Sequence, residues 1–172
     1  MKNLIFIGGI HGSGKGQICN EMISRTSLIH LTASNILKWN DISEQNSKVV
    51  EDIQYTQDKL INNLRKIVDP NLDYLLDGHY CLLNKNNKPE KIPNQTFKDI
   101  NPRKIILVIA NPSEIKIRLE KRDKKIYELT LIEEFQNLEI LYAKEISNIL
   151  SIPLLIIDSL NYNFNDLINF IK

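Results

Sequence analysis

Long hydrophobic runs are missing from this chain of 172 residues. The apolar opening from Leu4 to Ile10 is too short for a signal-peptide core with its cleavage site. Nothing approaches the roughly 20 apolar residues that a membrane helix needs, so no membrane partner is expected. Cysteine is scarce: Cys19 and Cys81 stand far apart and without metal-ligand spacing. That excludes a disulfide framework and suits free thiols in a reducing cytoplasm. An excess of one charge is also lacking. The 22 basic and 21 acidic side chains leave a net charge of +1, which supplies no basic field for nucleic acid. Arginine is sparse, with five in the chain. There is no internal repeat, and the polar stretch Asn84–Pro89 reads as a loop tip rather than a linker. The expectation is one cytoplasmic domain over residues 1–172, acting as a monomer, with enough apolar residues for a real core.

Glycine is rare too, with six in the chain, yet Gly8, Gly9, Gly12, Gly14 and Gly16 fall together. They follow the apolar run Leu4–Ile7 and precede Gln17–Ile23, which reads as a helix start. A buried strand, a glycine-rich turn and a helix N-terminus are the physical recipe for holding a phosphate chain. Backbone N–H groups turn inward with no Cβ in the way, and the helix end adds partial positive charge. Lys15 brings a full charge, and the spacing Gly9-x4-Gly14-Lys15 is that of a phosphate-binding loop. Gly9, His11, Gly12, Ser13, Gly14, Lys15, Gly16 and Gln17 are therefore the candidate ATP-binding residues. Gly16 stands where a Ser or Thr hydroxyl is expected to meet Mg2+.

Further apolar runs read as strands at Leu28–Leu31, Tyr74–Asp77, Ile105–Ile109 and Pro153–Ile157. Thr32–Asn35 caps a short helix. Asp41–Glu44 has capping-box spacing, and an apolar stripe from Val49 and Val50 to Ile67 predicts one long helix ending near Val68. Cys81–Ile92 suggests a hairpin or ordered loop. Asn111-Pro112-Ser113-Glu114 and Thr130–Glu133 open two more helices, and Phe164–Ile171 closes the chain. Strands alternating with helices predict an α/β P-loop NTPase fold, a five-stranded parallel sheet with helices on both faces. Ligands in such sheets sit beyond the carboxyl ends of the strands. That rim gathers Gly9–Lys15, Thr32–Lys38, Asp77–His79 and the segment after Ile109.

Asp77, at a strand's carboxyl end, is placed to hold Mg2+; a turn former before Gly78 is the plainer reading. His79 suits a base or phosphate neighbour, or simple packing. Arg118 and Arg122 lie four apart on one helical face and can reach a common space, unless they belong to a solvated charged face.

With these residues in hand, the chain resembles the adenylate kinase-type nucleoside monophosphate kinases. Gly9–Gly16 resembles that family's G-x-P-G-x-G-K-G loop, with His11 in the proline position and Gly16 as a family trait. His30–Lys38 resembles the segment that grips the acceptor nucleotide. On that match Thr32 and Ala33 line the acceptor site, and Lys38 replaces the arginine that meets its phosphate. Leu75–Gly78 resembles "l-L-D-G-f-P-R", with Cys81 where the arginine falls. Asp77-Gly78-His79 looks like the D-x-H of the short archaeal-type adenylate kinases and their ribosome-assembly relatives. Gln95 matches the glutamine that reads the acceptor base, and Arg118–Arg122 the "R-l-x-x-R" whose arginines meet donor and phosphate.

The resemblance implies ATP and Mg2+, in-line transfer of the γ-phosphoryl group to a small-molecule nucleotide, AMP first, and no nucleic-acid partner. Lys15, Asp77, Arg118 and Arg122 would be catalytic, Asp77 the metal ligand, and Thr32, Ala33, Lys38, His79 and Gln95 the acceptor contacts. An acceptor-binding helical insert over about 32–68 and a short lid over about 122–130 complete that picture, with Lys124 and Lys125 as a reduced lid charge. An ATP-hydrolysing switch or assembly factor, or a P-loop kinase for another small molecule, are the alternatives.

Overall fold

Apolar strands with a parallel partner on each side need cover on both faces, and the chain supplies it with helices. The computed structural model describes residues 3–37, 49–50 and 53–172. In chain order the elements are β1 (Leu4–Gly8), α1 (Lys15–Ser24), β2 (Ile29–Thr32), α2 (Ala33–Leu37), β3 (Val49–Val50), α3 (Ile53–Ile67), β4 (Tyr74–Asp77) and β5 (Cys81–Asn84). Then come β6 (Pro89–Lys91), α4 (Asn94–Ile100), β7 (Lys104–Ile109), α5 (Pro112–Asp123), α6 (Leu129–Leu150), β8 (Leu154–Asp158) and α7 (Phe164–Ile171).

The main sheet has five strands in the order β2-β4-β1-β7-β8. All its pairs are parallel, with Ile7 opposite Asp77 on one side and Ile106 on the other. Alternation along each strand splits the core in two. Ile5, Ile7, Leu75, Ile106 and Val108 pack with Ile18, Cys19 and Met22 of α1 and Leu167 and Ile171 of α7. Leu4, Phe6, Leu76, Ile105 and Leu107 pack on the other face with α3, α4 and α6. The expected α/β sheet with helices on both faces is thus present.

Two local expectations need correction. Val49 and Val50 do not lie in the long helix; they form β3, parallel to β5, with Val49 opposite Leu83. The helix begins at Ile53 instead. Two β-branched residues fit a pleated edge as well as a helical stripe, and the pairing that decides between them comes from a distant part of the chain. The capping-box residues Asp41–Glu44 lie outside the described residues. The segment after β6 also holds a helix not expected from the sequence, α4, whose Phe97 and Ile100 are buried.

Candidate functional site

The phosphate loop is built from backbone that only glycine adopts comfortably. Gly9, Gly12 and Gly14 have φ of 149°, 85° and 94°. Gly14 is the N-cap of α1, and a Cβ there would stand 2.7 Å from the Ser159 Cβ. The turn closes through Ser13 N–H to the Ile10 carbonyl at 3.2 Å, while Gln17 and Ile18 donate back to the Gly14 carbonyl to start α1. The result is a concave nest of amides above a helix N-terminus. The Ser13 hydroxyl is buried without a hydrogen-bond partner among the described residues. Gln17 is exposed and Gly16 has open space around its Cα.

Lys15 and Asp77 converge from α1 and β4 and form an ion pair, each side chain largely buried. His30 Nε2, from the neighbouring strand β2, lies 3.9 Å from Asp77 Oδ2. Cys19, His30 and Asp77 offer ligand atoms within 4.8 Å of one another. Burial first, then the Asp77 charge, pushes the Cys19 thiol up to about 12, so the carboxylate is the donor this cluster presents to a hard cation. A single carboxylate fits Mg2+, which keeps several waters and takes its other oxygens from substrate phosphates.

Arg118, on α5, donates from Nη1 to the Gly12 carbonyl at 3.0 Å and lies 3.5 Å from the Ser159 hydroxyl. It ties the loop to α5 and to the turn after β8. Arg122 is not brought to the loop. It grips the adjacent Asp123 through two hydrogen bonds of 2.7 and 3.1 Å, with its side chain half exposed. The turn that follows is pinned: Tyr127 N–H donates to Glu120, Tyr127 Oη–H donates to Asp123, and Lys116 donates to the Tyr127 carbonyl.

A cavity of about 180 Å3 opens beside the loop. His11 of the loop and Gly78 and His79 after β4 form its near wall. Ala33, Ser34 and Leu37 of α2, Thr56, Gln57 and Leu60 of α3, and Thr96, Phe97 and Ile100 of α4 form most of the rest, with Phe6, Leu82 and Ile92. Of the residues expected to contact an acceptor, Ala33 and His79 line this cavity. The Thr32 hydroxyl instead caps α2, accepting from Asn35 N–H at 3.3 Å. Gln95 is exposed on α4, and its neighbour Thr96 lines the cavity. Lys38 lies outside the described residues. The position expected to carry an arginine is the fully buried Cys81.

Sequence reasoning passed over two residues of α6. Gln136 is buried and exchanges both amide hydrogen bonds with Ala110, at the carboxyl end of β7. Glu139 is fully buried, and its Oε1 accepts from Tyr80 N–H at 3.0 Å and Cys81 N–H at 3.1 Å. One turn of helix therefore satisfies the backbone at the ends of two strands and fixes the rim. Both residues interrupt the buried stripe Ile132, Phe135, Tyr142, Ala143 and Ile146. Polar residues on an apolar face were the available signal.

Glu139 Oε1 also lies 3.9 Å from His79 Nδ1. The His79 and His11 rings stand 4.5 Å apart between centroids. Burial, then His11 and Lys15, hold the His79 imidazole well below its ordinary range. Burial raises the Glu139 carboxyl from 4.5 to about 7, against the pull of its two backbone donors. The folded chain therefore holds this proton over a range where the unfolded chain has released it. The Glu139 contribution to stability therefore falls as pH rises from about 4.5 to about 7 and is level beyond, while the buried neutral His79 contributes in the opposite sense, losing stability as pH falls below its ordinary value of 6.5. Glu139→Gln keeps an acceptor for both amides and removes the charge. Relative to the parent, thermal unfolding of this variant should show a gain in stability with rising pH across that range, on the order of 3 kcal/mol at the alkaline end, leaving the opposite slope of His79. An unchanged slope would mean that other groups set the pH dependence.

Comparison with known proteins adds a family and a fold. A family model described as AAA domain matches residues 8–136, from the end of β1 into α6. No curated protein matches the chain. Among solved structures, an uncharacterized protein from Eubacterium ventriosum ATCC 27560 superposes with a TM-score of 0.54 at 11% identity, covering 99% of this chain and 98% of that one. At that identity the likeness speaks for the fold alone.

Proposed function

Because the chain belongs to the AAA domain family, a P-loop, kinase-like group, we propose that it is an ATP-dependent phosphotransferase acting on a small acceptor. One observation carries this reading: the cavity and the phosphate loop share a wall. His11 belongs to the loop and lines the cavity, so a molecule held there lies next to phosphates on the loop. A plain ATPase has no use for such a chamber.

The loop amides and Lys15 would take the ATP phosphates. Lys15 would exchange Asp77 for phosphate oxygens, so its charge meets the group being transferred. Asp77 and the phosphates would then hold Mg2+, which supplies charge neutralisation on the phosphate oxygens. Little covalent work is left for the protein beyond alignment, neutralisation and exclusion of water. Residues 122–130 would act as the lid, a motion that takes Arg122 from Asp123 to the transferring group.

The adenylate kinase form of this proposal, with AMP as acceptor, draws on the likeness of His30–Lys38 and Asp77–His79 to that family. ADP formation from Mg-ATP, measured with and without small acceptors, tests the general reading. At least about tenfold stimulation by an acceptor is the expected result. Turnover indifferent to every acceptor would instead favour an ATP-hydrolysing switch.

A further inference from the structure

We propose that the acceptor is an uncharged nucleoside, seated by its base in the cavity and phosphorylated on a sugar hydroxyl. This rests on the general kinase reading and takes an unphosphorylated acceptor in place of AMP.

The first observation is where the arginines go. Planar bidentate gripping of a phosphate is arginine chemistry, and it is the grip best suited to a monophosphate acceptor. All five arginines fall among the described residues, and none lines the cavity. Arg25 pairs with Glu21 at 3.2 Å, Arg65 with Asp99 at 3.6 Å and Arg103 with Asp73 at 3.8 Å. Arg118 holds the Gly12 carbonyl and Arg122 holds Asp123. Among the described lining residues there is no lysine either. Lys38 and Lys48 lie outside the described residues.

The second observation is what the walls offer instead. Phe6, Leu60 and Phe97 provide flat apolar surface, and Thr56, Gln57 and Thr96 line the same space while being at least nine-tenths buried. The volume of about 180 Å3 is somewhat larger than the roughly 150 Å3 cavity that accepts benzene. That is room for one heterocycle. Apolar faces suit its two sides, and hydroxyl and carboxamide groups suit its hydrogen-bonding edge. A phosphate dianion placed against these walls would lose its water and find no cation among them.

With the base against the α3 and α4 walls, the sugar would lie towards the near wall, where His11 belongs to the loop. In the transfer, the hydroxyl oxygen bonds to the γ-phosphorus of ATP. The bond from that phosphorus to the bridging oxygen breaks, its electron pair stays on ADP, and the hydroxyl proton is released to water. The products are a nucleoside monophosphate and ADP.

The test compares each common nucleoside with its own 5′-monophosphate as acceptor for labelled Mg-ATP, using the full chain. The expected result is a kcat/KM at least about tenfold higher for the unphosphorylated member of a pair. Ser34→Arg, an exposed position on the cavity wall, should shift that ratio toward the monophosphate by about tenfold or more without lowering the unfolding temperature. A native preference for monophosphates overturns the acceptor class and leaves the kinase reading standing. Label recovered only as inorganic phosphate, whatever acceptor is present, overturns both.

Discussion

Lys15→Ala should lower the rate of ADP formation by a factor on the order of 10³, about 4 kcal/mol of transition-state stabilisation. The ammonium comes from the first residue of α1 and is held between the loop and Asp77 in a largely buried setting. A charge fixed there acts at low local dielectric and needs no reorganisation when charge moves to the leaving oxygen. Its removal also leaves Asp77 unpaired beside His30. Some loss of stability is therefore expected alongside the loss of turnover. The two effects separate in the double variant with Asp77→Asn, which should regain stability and stay inactive. Turnover within tenfold of the parent in Lys15→Ala would show that the loop does not hold the reacting phosphates.

Gly9→Ala should be the most damaging small substitution in the loop. Its φ of 149° is unfavourable for any side chain, and a Cβ would lie 2.4 Å from the Val108 carbonyl oxygen and 2.9 Å from Ser13 Oγ. The first of these is backbone of β7, held between β1 and β8, and cannot move aside. Strain and overpacking together should cost about 4 kcal/mol, a fall in unfolding temperature on the order of 10 °C. ATP affinity should fall with it, because the loop relieves the clash only by leaving its nest. Gly16→Ala is the internal control: nothing lies within 4 Å of the added methyl, and the residue sits in α1. That variant should unfold at or slightly above the parent temperature. Equal behaviour of the two variants in calorimetry would contradict the loop geometry.

The parts legible in the sequence were those whose cause is local. Gly9–Lys15 announces itself by spacing, and the strands of the main sheet are plain apolar runs because both faces are covered. The Asn111-Pro112 start of α5 and the Phe164–Ile171 helix follow from capping residues and periodicity. What escaped is decided by partners far along the chain. Val49 and Val50 become a strand because Leu83 and Asn84 lie beside them. Glu139 becomes a rim anchor because Tyr80 and Cys81 present two amides to it. Arg122 is a local exception: it satisfies the helical spacing that pairs it with Arg118, yet its next neighbour Asp123 holds it. Periodicity chose the helix face and could not choose between a nearby carboxylate and a distant phosphate. The rim read from the sequence holds the His11, α2 and Gly78–His79 side of the cavity; its α3 and α4 walls come from packing that no single stretch encodes.

The fate of the γ-phosphorus is the most direct measurement. The chain is incubated with Mg-ATP labelled at that position and a mixture of nucleosides and nucleoside monophosphates, and the products are separated. Phosphoryl transfer through the shared wall of loop and cavity predicts label in an organic phosphate ester, lost in Lys15→Ala. Label found wholly in inorganic phosphate, at a rate no acceptor changes, would contradict it.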